Sequence, residues 1–275
     1  MMFNIKTPAK INTFLNVDSV REDGYHNISS HMQLVDLFDE ISFVPSNSNA
    51  IFCEYSELQG QNLIIKSIEY FNETFSTNFN FQINLKKNIP FASGLGGGSS
   101  NAAYTILLLC FISGISIKKL NAQEVGKEIG ADVPFFINSE SCYVGGFGER
   151  LKKSFSKNIE FLLISPAINI STSQIFQSKH LQIDKLRDYE KNSLLEPLLM
   201  ENHEFNHFYK RLLTKSSNLQ NRLKLSGSGS SLFIESPTFE EKQILQPKNG
   251  DNFRIFCLKG LEYYDFKTDW GVAKW

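Results

Sequence analysis

Apolar residues alternate with polar ones or run in short blocks over residues 3 to 17 and again over 31 to 44, and the turn-like Arg21-Glu22-Asp23-Gly24 parts the two stretches. That pattern predicts an opening β-region. Leu63, Ile64, Ser67, Ile68 and Phe71 fall at helical spacing within 62–75, and Phe79, Phe81, Ile83 and Leu85 then alternate, so a helix followed by a strand is expected. The strand continues through Asn88-Ile89-Pro90 into a glycine-rich stretch, after which Ser99, Ser100 and Asn101 are placed to cap a helix reaching about Ser113. Its apolar run from Ile106 to Ile112 falls well short of the roughly 20 residues that span a bilayer, which predicts a buried helix. Further along, the pattern predicts a helix over 121–129 stopped by Gly130, and a change of direction at Pro134. A strand from Ile159 to Ser165 opens a second lobe, followed by a long helix over 193–214 and a small-residue turn within Leu223 to Ile234.

With 275 residues, 41% of them hydrophobic and 21% charged, the chain can bury one large core or two moderate ones, and two lobes with a cleft between them are expected. The 28 basic residues nearly cancel the 29 acidic ones, which argues against nucleic acid as a main partner. Cys53, Cys110, Cys142 and Cys257 form no C-x-x-C pair and read as four buried thiols in a reducing cytosol. The first residues, Met1 to Lys6, hold no apolar stretch of signal-peptide length, so a cytoplasmic protein without membrane attachment is expected.

The strongest local signal is Pro90-Phe91-Ala92-Ser93-Gly94-Leu95-Gly96-Gly97-Gly98-Ser99-Ser100-Asn101, with four glycines in the five positions 94 to 98. Glycines between a strand and a helix let backbone N–H groups approach an anion, and the helix dipole adds positive charge there; a triphosphate suits both. A flexible turn is the plainer alternative. The loop lacks the Gly-Lys-Ser/Thr ending of a Walker A motif and does not fit G-x-G-x-x-G, so another ATP-binding architecture is implied.

The segment from Pro90 to Asn101 resembles the phosphate motif of the GHMP kinase superfamily. Pro8-Ala9-Lys10-Ile11-Asn12, Arg21-Glu22-Asp23-Gly24-Tyr25-His26, Gly130-Ala131-Asp132-Val133-Pro134-Phe135-Phe136 and Leu225-Ser226-Gly227-Ser228-Gly229-Ser230-Ser231-Leu232-Phe233 follow in the order of the branch that acts on a cytidylylated methylerythritol. Ala92 and Ser93 depart from that branch, standing where Gly and a small residue are usual. The resemblance implies a two-lobed α/β fold, with a ribosomal-protein-S5-domain-2-like lobe over residues 1–153 and a ferredoxin-like lobe over 154–275. It implies ATP-dependent phosphorylation of the 2-hydroxyl of 4-diphosphocytidyl-2-C-methyl-D-erythritol, in the non-mevalonate route to isoprenoid precursors. The implied cofactors are ATP and Mg²⁺, the partner is a small cytidylyl substrate, and the assembly is a monomer or weak homodimer. By the same resemblance Asp132 is the base and Lys10 its companion at the acceptor hydroxyl, while Asn62 lies on the adenosine side. Gly227, Ser228 and Gly229 form a third glycine motif. The resemblance further implies that Tyr25 and Phe176 stack on opposite faces of the cytosine, that His26 reads its edge, and that Asn12 meets the phosphate or polyol.

Plainer readings stand beside these. Asp132 before Val-Pro reads as a cap, Lys10 as a solvated lysine, Phe176 as a core ring, Asn62 as an N-cap, and Ser99 or Ser100 as caps rather than contacts to Mg-ATP, for which no protein-only metal site is expected. His203-Glu204-Phe205-Asn206-His207 satisfies H-E-x-x-H and leaves a zinc metallopeptidase as a remote alternative. A closer alternative is another GHMP-type kinase of mevalonate, homoserine or a sugar; a sensor that has lost transfer is disfavoured because Lys10 and Asp132 are both present.

Overall fold

The computed structural model of the chain describes residues 2–56, 59–60, 62–154, 159–183, 188 and 190–267. Strands β1 (Phe3–Val20) and β2 (His26–Pro45) pair antiparallel from Phe3 opposite Phe43 to Val20 opposite His26. The predicted turn joins them, with Arg21 N donating to Tyr25 O at 2.8 Å. Register shifts at Pro8/Ala9, Asn12/Phe14 and Val17/Ser19 bend the long hairpin, as bulges do. One hairpin thereby serves two cores.

Strand β3 (Ala50–Cys53) lies parallel to β4 (Phe81–Lys86), and β4 pairs with the far end of β2. β4 alternates buried and exposed residues as expected, but begins after Phe79, whose N–H is held by Asn72 Oδ1 in the preceding turn. Strands β5 (Cys142–Gly146) and β6 (Arg150–Lys153) extend the sheet beside β2. Helix α1 (Leu63–Phe75) buries its Ile64, Ile68 and Phe71 face against this sheet's core, together with α2 (Gly97–Ser113). The expected buried helix is α2, whose residues from Ser100 to Cys110 are all buried; its polar Asn101 and Thr105 are satisfied by Thr7 Oγ1 at 2.6 Å and by the Asn101 carbonyl at 2.7 Å. Two short helices, α3 (Ala122–Glu128) and α4 (Val133–Asn138), follow. Pro134 sits in the first turn of α4, where its fixed φ suits a helix start.

The second half contains β7 (Glu160–Pro166), α5 (Thr172–Phe176), α6 (Leu195–Glu201), α7 (His203–Leu213), β8 (Lys224–Leu225), β9 (Leu232–Glu235), α8 (Phe239–Ile244) and β10 (Phe253–Leu261). Its strands lie side by side as β10-β7-β9-β8, all antiparallel, which is the strand order of a ferredoxin-like β-α-β-β-α-β unit. The long helix expected over 193–214 is two helices. Asn202 between them is extended at φ −125° and its Oδ1 accepts the Phe205 N–H at 2.8 Å, so it ends α6 and caps α7.

β10 bridges the halves, with Val35 opposite Gly260 and Leu34 opposite Leu261. Leu15, Val17 and Ile28 of the first hairpin pack into the second core, while Tyr264 and Phe266 beyond β10 pack into the first. A third cluster draws Ala9, Ile11, Ile89 and Leu95 together with Phe161, Leu163 and Phe233. No described helix is long and apolar enough to cross a membrane. The four cysteines are free thiols, but only Cys110 and Cys142 are buried as expected; Cys53 is half-buried and Cys257, on an outward-facing position of β10, is exposed.

Candidate active site

β1 brings Lys10 and Asn12 to the floor of a cleft of about 820 Å³, which the glycine loop, the Gly24–His26 turn, the start of α4, α5 and Gly227-Ser228 all line. Lys10 is 3% exposed. It is therefore no solvated surface lysine, and its charge is met by Asp132 Oδ2 at 3.3 Å and by the carbonyl oxygen of the Asn12 amide. Asp132 stands just before α4, yet its side chain caps no backbone N–H of that helix. It turns to Lys10 instead, and the capping alternative is thereby lost. Asn12 is itself held: its Nδ2 donates to Ser30 Oγ at 2.8 Å, and Ser30 Oγ donates to Phe14 O at 2.6 Å.

The glycine loop is stitched to both halves of the chain. Lys10 N donates to Leu95 O at 3.0 Å, Ser226 Oγ donates to Gly94 O at 3.1 Å, and Ser231 N donates to Ser93 O at 3.1 Å. Gly94 has φ +76°, and a Cβ there would lie 2.1 Å from Ser226 O, so glycine is required by both conformation and space. Ala92, at φ +49°, occupies a left-handed position that glycine takes more readily; the Ser93 hydroxyl beside it donates to Pro90 O at 2.7 Å.

Helix α2 begins at Gly97, with Gly96 as its N-cap at φ +70° and no side-chain cap. The expected capping by Ser99, Ser100 and Asn101 does not occur, because the glycines themselves take helical geometry and place those residues inside the first turns. An uncapped first turn leaves N–H groups pointing into the cleft, which suits an anion at the positive end of the dipole. Ser99 lines the cleft, whereas Ser100 is fully buried and donates to Pro8 O at 2.6 Å. The Ser100 hydroxyl is thus taken up by Pro8 O, and of the two serines it is Ser99 that lines the cleft.

Asn62 lines the cleft and also caps α1, its Oδ1 accepting the Ile64 N–H at 2.9 Å. Gly227 has φ +55°, and a Cβ on it would stand 3.2 Å from Lys10 Nζ and 3.3 Å from Asn12 Oδ1. The close approach of this turn to Lys10 therefore depends on glycine. Gly229 lies outside the cleft, against Leu198 and Leu225. At the far end, the Tyr25 ring packs on Phe147 at 5.0 Å between centroids and the His26 ring packs on Phe176 at 5.2 Å. Each member of the expected aromatic pair thus has a ring partner of its own, and burial lowers the His26 pKa below its ordinary value.

Several cleft residues carried no readable signal in the sequence. Lys87 is paired with Asp39, whose other oxygen accepts Asn88 N at 2.8 Å and Ile89 N at 2.9 Å, so this buried pair clamps the strand end that feeds the glycine loop. A lysine next to the glycine motif was visible, but a partner 48 residues away was not. Phe147 and Thr172 are likewise cleft residues that only the fold reveals. The H-E-x-x-H side chains are on the outer face of α7, with His203, Glu204 and His207 exposed, and the described residues contain no cluster of His, Cys, Asp and Glu able to hold a metal.

Two lobes meeting at a cleft, with an uncapped glycine-started helix beside a buried lysine that pairs with a half-buried aspartate, define a GHMP-type kinase architecture, and the family described as GHMP kinases N terminal domain matches residues 62–140. The chain is 30% identical to the 4-diphosphocytidyl-2-C-methyl-D-erythritol kinase of Ruthia magnifica, over 97% of each chain. It is 31% identical to that of Acinetobacter baylyi, over 98% of this chain and 100% of the relative. This chain belongs to the 4-diphosphocytidyl-2-C-methyl-D-erythritol kinase family. A crystal structure of 4-(cytidine 5'-diphospho)-2C-methyl-D-erythritol kinase shares the fold with a TM-score of 0.71 at 22% identity, over 94% of this chain and 99% of the other. A crystal structure of mevalonate kinase gives 0.54 at 18% identity, over 94% and 98%.

Proposed function

We infer that this chain transfers the γ-phosphoryl group of ATP to the 2-hydroxyl of 4-diphosphocytidyl-2-C-methyl-D-erythritol, a step of the non-mevalonate route to isoprenoid precursors. The observation that carries the reading is the Lys10–Asp132 pair, 3.3 Å apart, in the same cleft as the uncapped start of α2. Phosphoryl transfer passes through a loose transition state that needs positioning and charge stabilisation more than covalent chemistry. The N–H groups of Gly97, Gly98 and Ser99 would receive the phosphates, Asp132 would accept the proton of the acceptor hydroxyl, and Lys10 would keep that carboxylate ionised and orient the hydroxyl.

Magnesium fits the residues present, since Ser99 offers a hydroxyl oxygen in the cleft and this ion commonly takes its remaining ligands from the substrate's own phosphates and water. When bound it would neutralise charge on the triphosphate. Asn62 and Pro90 to Ala92 lie toward the adenosine side, and Tyr25, His26, Phe176 and Asn12 toward the acceptor. In this reading the first lobe, 1–153, supplies the phosphate cradle and the second, 154–275, closes the acceptor end through Phe176 and Gly227. A soluble cytoplasmic enzyme, monomeric or a weak homodimer, accompanies it.

A coupled ADP-release assay with Mg²⁺ and a panel of acceptors tests the function. Turnover is expected with the cytidylyl methylerythritol substrate and not with mevalonate, homoserine or galactose; turnover confined to one of the latter would replace the reading with another GHMP-type activity.

A further inference from the structure

We propose that Phe147 is a positioning residue of the acceptor end: it holds the Tyr25 ring in place and ties it, through the turn from Gly146 to Glu149, to the backbone carrying Asp132. This rests on the cytidylyl acceptor of the function proposed above. Phe147 is 4% exposed although its ring forms part of the cleft wall. On one side it packs on Tyr25 at 5.0 Å, and the Arg21 guanidinium lies 5.5 Å from its centroid. Arg21 is itself anchored by two hydrogen bonds to Asp23, at 2.9 and 2.8 Å. On the other side the ring is wedged against α3, so that a Cβ on Gly126 would stand 2.9 Å from it.

The turn is fixed as firmly as the ring. Glu149 folds its carboxylate back to accept Phe147 N at 2.7 Å and Gly148 N at 3.2 Å. Gly148, at φ +144°, lies so close to the chain before Asp132 that a Cβ on it would be 2.3 Å from Ala131 O. Tyr25 sits in an exposed turn and would otherwise order its ring only when a base arrives. A ring already held spares that ordering cost, which favours binding of a stacked base.

A double-substitution cycle on kcat/KM for the cytidylyl acceptor tests the proposal. Phe147→Ala is expected to lower it about tenfold, mostly through KM, with KM for ATP within about twofold. In a Tyr25→Ala background the same substitution is expected to cost less than about twofold, because a residue acting through Tyr25 has nothing left to position. Phe147→Leu, which keeps the wedge filled, provides the same comparison should the alanine variant fail to fold. Equal losses in both backgrounds, or a parallel rise in KM for ATP, would show a general packing role and overturn the proposal. Wild-type protein inactive on the cytidylyl acceptor would take down the proposed function and this proposal together; an active wild type with additive losses removes this proposal alone.

Discussion

In the proposed mechanism Lys10 and Asp132 act at the reacting hydroxyl while the N–H groups at the start of α2 receive the phosphates, and this division of labour makes their roles distinguishable by kinetics. Asp132→Asn and Lys10→Ala should each lower kcat by roughly 10²-fold or more while leaving KM for ATP within a few-fold. Near-normal turnover by Asp132→Asn would remove proton transfer to Asp132 from the mechanism. Gly97→Val should do the reverse, since a Cβ there would stand 2.9 Å from Lys87 Nζ and 3.0 Å from Ile89 Cγ2, crowding the buried Asp39–Lys87 clamp at the root of the loop. Overpacking of this kind costs about 1–3 kcal/mol, and it should appear as weaker nucleotide binding in a titration with ATP.

Helix α5 is only five residues long, but it carries Phe176 into the cleft beside His26 and Thr172 to Ser228, whose hydroxyls are 2.8 Å apart. If Phe176 stacks on the cytosine, Phe176→Ala should raise KM for the cytidylyl acceptor by about 5- to 150-fold, the range that corresponds to roughly 1–3 kcal/mol per stacked base. KM for ATP should barely move. Because the His26 ring rests on Phe176, part of the loss should come from freeing His26, and His26→Ala should then be less than additive with it. Equal losses on an acceptor without a base would assign Phe176 to packing alone.

At the scale of the molecule, the chain after β10 returns to the first core, where Tyr264 and Phe266 pack their rings on Tyr104 of α2 at 5.5 and 6.2 Å. Tyr264→Ala should cost about 3–5 kcal/mol, as large aromatic truncations do, and lower the thermal midpoint while kcat at low temperature is kept. An unchanged midpoint would show that this return strap adds nothing to the core. His31 bridges β1 and the chain after β6 through Thr13 Oγ1 at 3.0 Å and Ser154 Oγ at 2.8 Å, and burial lowers its pKa from the ordinary 6.5. Its unfolded form therefore binds a proton first as the pH falls, so its contribution to stability is complete above 6.5 and lost as the pH falls from there through the folded value. The thermal midpoint should drop as the pH falls below 6.5, and His31→Gln should flatten that drop.

The sequence by itself determined the alternation that makes β1, β2 and β4, the buried apolar run of α2, the turn at Arg21 to Gly24 and the order of the glycine-rich and acidic motifs, because local periodicity and turn chemistry act over a few residues at a time. Helix α7 shows the limit of such patterns: the periodicity crossed Asn202 unbroken, and only the backbone there revealed a cap between two helices. Ser99 and Ser100 were equivalent as letters. The tertiary structure separated them by turning one hydroxyl to Pro8 O and the other into the cleft. It also decided that Asp132 faces Lys10 instead of capping α4, that Asp39 clamps Lys87, and that Phe147 backs Tyr25. Those are contacts between distant parts of the chain, and which side chain meets which is settled only when both cores close around the shared hairpin.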